Sequence, residues 1–291
     1  MAYYFLMKVN INKLQDSNST TSSVFGVLRS KMTSITNIVN QISSLKLLCF
    51  VRILLITIAA TFLPSVYSSE LPGYTASYSA KYNGMDITAK YQLEQLDVGT
   101  YIETSEATSI FGKISEQAQF ELNTVGQIVP RSYQYKRSLM GVSRREEQLF
   151  DWDNSQLTYI KNGAQKIVPL APNSLDLITH KLQIRRDLEV GKTTFSYPVM
   201  SRDRAKQYDY EVLTKEMLMT VLGPLNTTKL RRVVKQGKKR ETIIWLADDW
   251  AYLVVKLSHS ENGDNHQLNI TSGQVAGRDI APLKMTQENQ L

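Results

Sequence analysis

Residues 74–84 read YTASYSAKYNG, and this stretch decides the fold. In an extended chain Tyr74, Ala76, Tyr78, Ala80 and Tyr82 share one face, and Thr75, Ser77, Ser79 and Lys81 share the other. That alternation has the period of a strand, not of a helix. Asn83-Gly84 follows, a strong short-range hairpin signal because both residues tolerate the positive φ of a two-residue turn. Beyond it Ile87, Ala89, Tyr91 and Leu93 alternate with Thr88, Lys90, Gln92 and Glu94. Two amphipathic strands joined in this way make an antiparallel sheet with one wet face.

The same rhythm continues. Strands are expected over 101–110, 114–122, 131–139, 143–152 and 156–161, with glycines or Asp153-Asn154 between them and Asn162-Gly163 as a second hairpin signal. It changes once. Pro172-Asn173-Ser174 marks a helix start, and 175–189 reads as a helix that stops before Gly191. Its apolar residues form two stripes: Leu175, Ile178, Leu182 and Leu177, Ile184, Leu188. A helix wet on one side needs one stripe, so two imply cover on both sides, as inside the curl of a sheet. Strands resume over 193–201, 206–214, 215–221, 227–236, 238–247, 251–260 and 266–271. The run IIWLA at 243–247 is apolar on both faces and reads as a central, covered strand. A dozen amphipathic strands must close or curl, because a flat sheet exposes long edges. The expected fold is mainly β: a single curved antiparallel sheet, half-barrel or barrel-like, with one principal α-helix packed against it.

The chain has 291 residues, 42% of them hydrophobic and 21% charged, which excludes a disordered chain and permits a core without staples. The formal net charge of +7 is unevenly spread. Residues 1–68 hold six Lys/Arg and one acid, leaving 28 basic and 26 acidic residues in the remainder. The excess precedes ILLITIAATFL at 53–63, the arrangement of an export signal. Pro64 ends the run, and Val66-Tyr67-Ser68 fits cleavage before Ser69. A spanning helix needs ~20 residues, so a cleaved signal and a periplasmic location are expected; an inner-membrane anchor through 47–63 is the alternative. The expected organisation is an N-terminal extension and signal n-region at 1–52, the signal h-region and cleavage site at 53–68, one β-rich domain at 69–277 and a flexible tail at 278–291. The one cysteine, Cys49, lies in the leader, which excludes a disulfide framework and a cysteine zinc cluster.

Several landmarks stand in order: the tyrosine-rich first strand, Phe150-Asp151-Trp152, Leu175-Asp176, then Leu182-Gln183-Ile184-Arg185-Arg186-Asp187-Leu188 before Gly191, Leu222-Gly223, and Trp245-Leu246-Ala247-Asp248-Asp249. Together they resemble the bacterial exported-protein family catalogued as domain of unknown function 3108, over roughly residues 74–271. The resemblance implies an envelope location and a curved antiparallel sheet, and it implies no reaction. A looser likeness is to periplasmic carriers whose open β half-barrel shields lipid chains around a helix, an analogy of fold alone.

Sites of chemistry are sparse. No Gly-x-Ser-x-Gly elbow, His-Glu-x-x-His, P-loop or Gly-x-Gly-x-x-Gly is present, and no cofactor or metal is implied. His180 follows Asp176 by four residues and so shares its helix face, which is half a dyad or an ordinary polar stripe. Asp151/Asp153 and Asp248/Asp249 are paired carboxylates whose positions also suit turns. The stretch KLRRVVKQGKKR at 229–240 is basic, but Gln236-Gly237 reads as a hairpin tip and no aromatics interleave, so nucleic acid is not expected. Arg232, Lys238, Lys239 and Arg240 are the candidates for contact with an anionic membrane surface or lipopolysaccharide; edge protection is the plainer reading. The tyrosine stripes offer apolar rings with polar tips, either as packing or as a cavity lining. The candidate ligand-binding residues are Tyr78, Tyr82, Tyr91, Trp152, Leu182, Leu188 and Trp245. The leading expectation is a non-enzymatic binder of a lipid or lipoprotein acyl chain in the concavity of the sheet. An envelope assembly module acting through a sheet edge or the basic hairpin, and an enzyme with an unrecognised carboxylate or histidine site, are the alternatives. A large apolar cavity favours the first, a filled core the second, and clustered polar groups at a pocket the third.

Overall fold

The computed structural model describes residues 70–82, 85–234 and 240–282. The leader, the Asn83-Gly84 turn, Lys238 and Lys239 and the end of the tail lie outside the described residues, as does the side chain of Tyr82. Eight strands come first: β1 (Tyr74–Tyr82), β2 (Met85–Asp97), β3 (Thr100–Ser109), β4 (Gly112–Leu122), β5 (Ile128–Leu139), β6 (Val142–Asp151), β7 (Gln156–Lys161) and β8 (Ala164–Pro169). The α-helix α1 (Thr179–Glu189) follows. Seven strands complete the chain: β9 (Thr194–Ser201), β10 (Arg204–Thr220), β11 (Gly223–Val233), β12 (Arg240–Ala247), β13 (Leu253–Glu261), β14 (Asp264–Val275) and the short β15 (Arg278–Asp279).

All strands belong to one antiparallel sheet. Its order runs from β8 back to β1, crosses to β14, and runs back to β9, with β15 on β14. Its two free edges are therefore β8 and β9, and α1 is the connection between them. The sheet curls because its ladders are repeatedly offset: between Ser77 and Tyr78, Gln95 and Asp97, Gln119 and Phe120, Val212 and Thr214, and Trp245 and Leu246. Each such bulge sharpens the local right-handed twist.

The curl brings the two edges to a seam that no strand ladder closes. Leu175 bridges to β9, donating its N–H to the Pro198 carbonyl at 2.9 Å and accepting the Met200 N–H at 2.7 Å. Gln148 of β6 donates its side-chain amide to the carbonyls of Met200 (3.2 Å) and Arg202 (2.6 Å). Lys166 of β8 pairs with Asp203 at 2.7 Å. Among the described residues the architecture is the curved, barrel-like sheet with one α-helix that the period-two pattern implies.

Three local readings need correction. Residues 206–214 and 215–221 are one strand, β10; the bulge near Val212 shifts the phase of alternation and makes one strand read as two. The helix begins at Thr179, not at residue 175, because Leu175 is spent on the seam. Asp176 then caps it: one carboxylate oxygen accepts the N–H groups of Ile178 (2.7 Å) and Thr179 (2.8 Å), and the Thr179 hydroxyl accepts the Asp176 N–H at 2.9 Å. Finally, the segment read as a flexible tail from residue 278 is tied down at its start: Arg278–Asp279 pair with β14 as β15, and Ile280 anchors it while its neighbours stay exposed. Ile280 is buried over Gly273, where a Cβ would approach its side chain to 2.8 Å, and the Ala281 carbonyl accepts the Trp250 indole N–H at 3.1 Å.

The helix is enclosed. Thr179, His180, Leu182 and every residue from Gln183 to Leu188 are buried. Its polar side chains are anchored to strands on several sides. Gln183 accepts the Ile128 N–H of β5 at 3.0 Å, Arg185 donates to the Ala251 carbonyl at 2.9 Å, and Asp187 accepts the Tyr197 hydroxyl of β9 at 2.6 Å. The segment IIWLA does lie centrally, between β11 and β13. One face of it, Ile244 and Leu246, turns inward to the helix. The other is covered by lysine stems: Lys229 and Lys256 lie 5.1 and 5.0 Å from the centre of the Trp245 ring.

Candidate functional site: the lumen beneath the helix

A cavity of about 80 Å³ lies between α1 and the sheet. Leu182 and Ile184 of α1, Leu230 of β11, Ile244 and Leu246 of β12, and Leu253, Leu257 and Leu268 supply its apolar wall. Tyr74 and Tyr78 of β1, Tyr91 of β2, Glu103 of β3, and Lys181 and Arg185 of α1 supply polar atoms. The alternation of β1 to β3 dictates this gathering. Tyr78 faces Ala89 and Tyr91 faces Ser105 across the ladders, so inward positions of neighbouring strands stack in rows.

The polar groups are held under strain from burial. Tyr78 packs edge-on against Tyr91, with ring centres 5.2 Å apart, and donates its hydroxyl to the Val254 carbonyl at 2.7 Å. The Arg185 guanidinium lies 4.8 Å from the Tyr74 ring centre, and Lys181 lies 6.0 Å from that of Tyr91. Burial pushes the Glu103 carboxyl up to about 7, against the pull of Lys181 and Arg185 and a hydrogen bond from Tyr74. Burial likewise pushes the phenols of Tyr74 and Tyr78 up. Although burial alone lowers a lysine, the surrounding Tyr91, Glu116 and Glu103 hold Lys181 above its ordinary value.

Two of these groups are incompletely satisfied. Arg185 spends its Nε on the Ala251 carbonyl, and neither Nη1 nor Nη2 has a hydrogen-bond partner among the described residues. Glu103 Oε2 has none either. A buried donor or acceptor left unpaired costs about 1–3 kcal/mol, and more when charged, so such groups in a folded protein point to a missing partner. The lumen thus combines an apolar wall with a guanidinium whose two amino groups are unspent.

Of the residues expected to bind ligand, the structure brings Tyr78, Tyr91 and Leu182 together in this lumen. Trp152 is elsewhere, donating to the Pro130 carbonyl at 2.8 Å and stacking on Phe150. Trp245 faces away from the lumen and donates to Glu216 at 2.7 Å. Leu188 is buried near the end of the helix but does not border the cavity. Tyr74 belongs to the tyrosine stripe read as a possible cavity lining, whereas Glu103, Lys181 and Arg185 are not legible as site residues in the sequence. Arg185 sits amid a polar run, and Glu103 in an ordinary alternation.

The histidine and carboxylate candidates take part in structural contacts. His180 binds the Asp176 backbone carbonyl through Nδ1 and the Tyr210 hydroxyl through Nε2, each at 3.0 Å, so no carboxylate–imidazole dyad forms. Burial pushes its imidazole down to about 3. Asp151 caps its own turn, accepting the Asn154 N–H at 3.0 Å. Asp248 accepts the Thr228 hydroxyl at 2.6 Å and pairs with Lys215 at 3.1 Å. Arg232 stacks on the Tyr208 ring at 3.7 Å, while Arg240 stands opposite Glu261 across the β12–β13 ladder. A wider concavity of about 500 Å³ crosses β1–β5, lined mostly by Ser, Thr, Gln and charged side chains. Among the described residues no three His, Cys, Asp or Glu gather as a metal site, and no helix is long and apolar enough to cross a membrane.

Residues 77–266, well over half of the chain, match the family described as "Protein of unknown function (DUF3108)". No curated protein matches. Among solved structures, a beta-barrel-like protein of domain of unknown function DUF1849 from Brucella abortus is similar with a TM-score of 0.50 at 7% identity, covering 71% of this chain and 98% of that one. A porin-like protein from Bacteroides uniformis matches at 9% identity with a TM-score of 0.29, covering 72% of this chain and 99% of that one. The first likeness concerns the fold alone.

Proposed function

The chain belongs to the DUF3108 family of proteins of unknown function, and from that premise we propose that it is an exported, non-enzymatic protein that binds an amphipathic ligand beneath α1. The ligand class is a lipid or lipoprotein acyl chain with an anionic head. The observation that carries this reading is the pair of unspent Arg185 amino groups in an otherwise apolar lumen. The apolar wall suits a hydrocarbon tail, and Arg185 with Lys181 suits a carboxylate or phosphate head. A bidentate guanidinium contact is among the strongest charge-assisted hydrogen bonds.

The size of the cavity favours a second reading. A cavity of about 80 Å³ holds a few waters and no complete acyl chain. Full occupancy therefore requires α1 to shift or the seam to part. A lumen that stays closed leaves an envelope interaction module acting through an edge of the sheet.

Titration with a fluorescent fatty-acid probe separates the two. The carrier reading expects saturable binding at one site, weakened about tenfold in Arg185→Met. Absence of saturable binding to the delipidated wild type removes that reading and leaves the interaction module.

A further inference from the structure

The β4–β5–β6 end of the sheet holds a second concavity, of about 370 Å³, that shares no residue with the lumen cavity. Five cations border it: Lys113, Lys136 and Arg145 from its own face of the sheet, and Arg137 and Arg144 from the neighbouring rung, whose side chains take the opposite face. Three serines and Asn162 complete the wall, and no carboxylate or apolar side chain contributes. Asn162 already accepts the Arg145 backbone N–H through Oδ1 at 2.9 Å, which leaves its amide to donate. Every side chain around this space is therefore a hydrogen-bond donor.

The strand register makes the arrangement costly. Lys136 stands directly opposite Arg145, and Arg137 directly opposite Arg144, on adjacent rungs of β5 and β6. Like charges across a ladder destabilise a sheet. Carboxylates offset three of the five cations. Lys113 pairs with Glu106 at 2.6 Å, Arg144 with Glu146, and Arg145 lies 3.9 Å from Glu147. Lys136 and Arg137 have no such partner among the described residues. On the opposite face of the sheet, Arg137 Nε and Arg144 Nε are buried and without a hydrogen-bond acceptor. A sheet gains nothing for its own stability by aligning these charges.

We propose that this pocket binds a phosphate group. A tetrahedral anion with several oxygens fits a wall of guanidinium, ammonium, hydroxyl and amide donors, and its charge relieves the repulsive Lys136–Arg145 rung. The phosphate belongs either to a lipid headgroup or to a soluble phosphate ester, and both present the same chemistry. The proposal does not depend on ligand binding in the lumen.

Thermal unfolding with inorganic pyrophosphate tests it, against sodium chloride at matched ionic strength. Pyrophosphate raises the melting temperature of the wild type, and chloride does so less. The double variant Lys136→Gln, Arg145→Gln melts higher than the wild type in anion-free buffer, because a repulsive rung is gone, yet binds pyrophosphate about tenfold more weakly. Sedimentation with phosphatidylglycerol vesicles, compared with phosphatidylcholine, separates the sources. A headgroup site gives binding that this variant loses and Lys238→Gln, Lys239→Gln retains, whereas a soluble ester gives pyrophosphate binding alone. Equal stabilisation by chloride, no response to either phosphate source, or an unchanged pyrophosphate affinity in the variant overturns the proposal.

Discussion

Glu103 is the residue where burial and charge most directly meet function. Its carboxyl ordinarily titrates near 4.5 and is held at about 7 in the fold, chiefly by loss of water. Between those values the folded chain keeps a proton that the unfolded chain has released. The stability tied to this group is therefore full below pH 4.5 and declines as the pH rises through 7. A shift of this size corresponds to roughly 3 kcal/mol. Glu103→Gln is expected to flatten that decline, so that urea midpoints of variant and wild type diverge above pH 7 in favour of the variant. His180 acts in the opposite sense. Its imidazole is kept neutral down to about 3, so its contribution is present above its ordinary 6.5 and is lost as the pH falls. The Glu103 proton also bears on binding. A neutral Glu103 leaves Arg185 and Lys181 to an anionic head, so the fatty-acid probe should bind more tightly at pH 6 than at pH 8. Equal affinity at both values would detach Glu103 from the site.

The helix shows what a residue pattern can and cannot convey about an element. Its two apolar stripes announce that it is covered on more than one side, and it is. Its polar residues give no such warning: His180, Gln183, Arg185, Arg186 and Asp187 would look solvent-facing on a surface helix, yet all are buried. His180, Gln183 and Asp187 are tolerated because the surrounding strands offer backbone and hydroxyl partners that one helix cannot reveal. The cavity takes Leu182 from one stripe and Ile184 from the other, so the contrast lies along the helix rather than between stripes. Leu188, which does not border the cavity, should cost about 2–5 kcal/mol when cut to alanine. Leu182 already borders open space, so Leu182→Ala should cost clearly less and should alter probe affinity. Urea unfolding of the two delipidated variants decides this. Equal, large losses with unchanged probe binding would mean that the lumen is simply core.

At the scale of the whole sheet, alternation in β1 to β8 and β9 to β14 was readable because every ladder within those two runs joins neighbours in sequence, the β1–β14 ladder alone being long-range. The seam was not readable, because it joins residues far apart through Gln148 and Leu175, whose types carry no pairing signal. The packed segment after β14 was likewise hidden, since its anchor is the single apolar residue Ile280 resting on Gly273. The seam ties the segment that leads into α1 to the β9 edge through Leu175. Gln148 satisfies two carbonyls at the β9 edge, and Gln148→Leu leaves both without that donor, at about 1–3 kcal/mol. Hydrogen exchange should then quicken at Leu175 and Met200; unaltered exchange at both amides would show that the seam does not open there. The central claim, that the space beneath α1 receives an amphipathic anion, is tested most directly by native mass spectrometry of the protein recovered from cells under mild conditions. The account predicts one bound amphipathic molecule per chain, retained by the wild type and largely lost in Arg185→Met. A wild-type protein that carries no adduct and acquires none when offered a fatty acid or a phospholipid would contradict it.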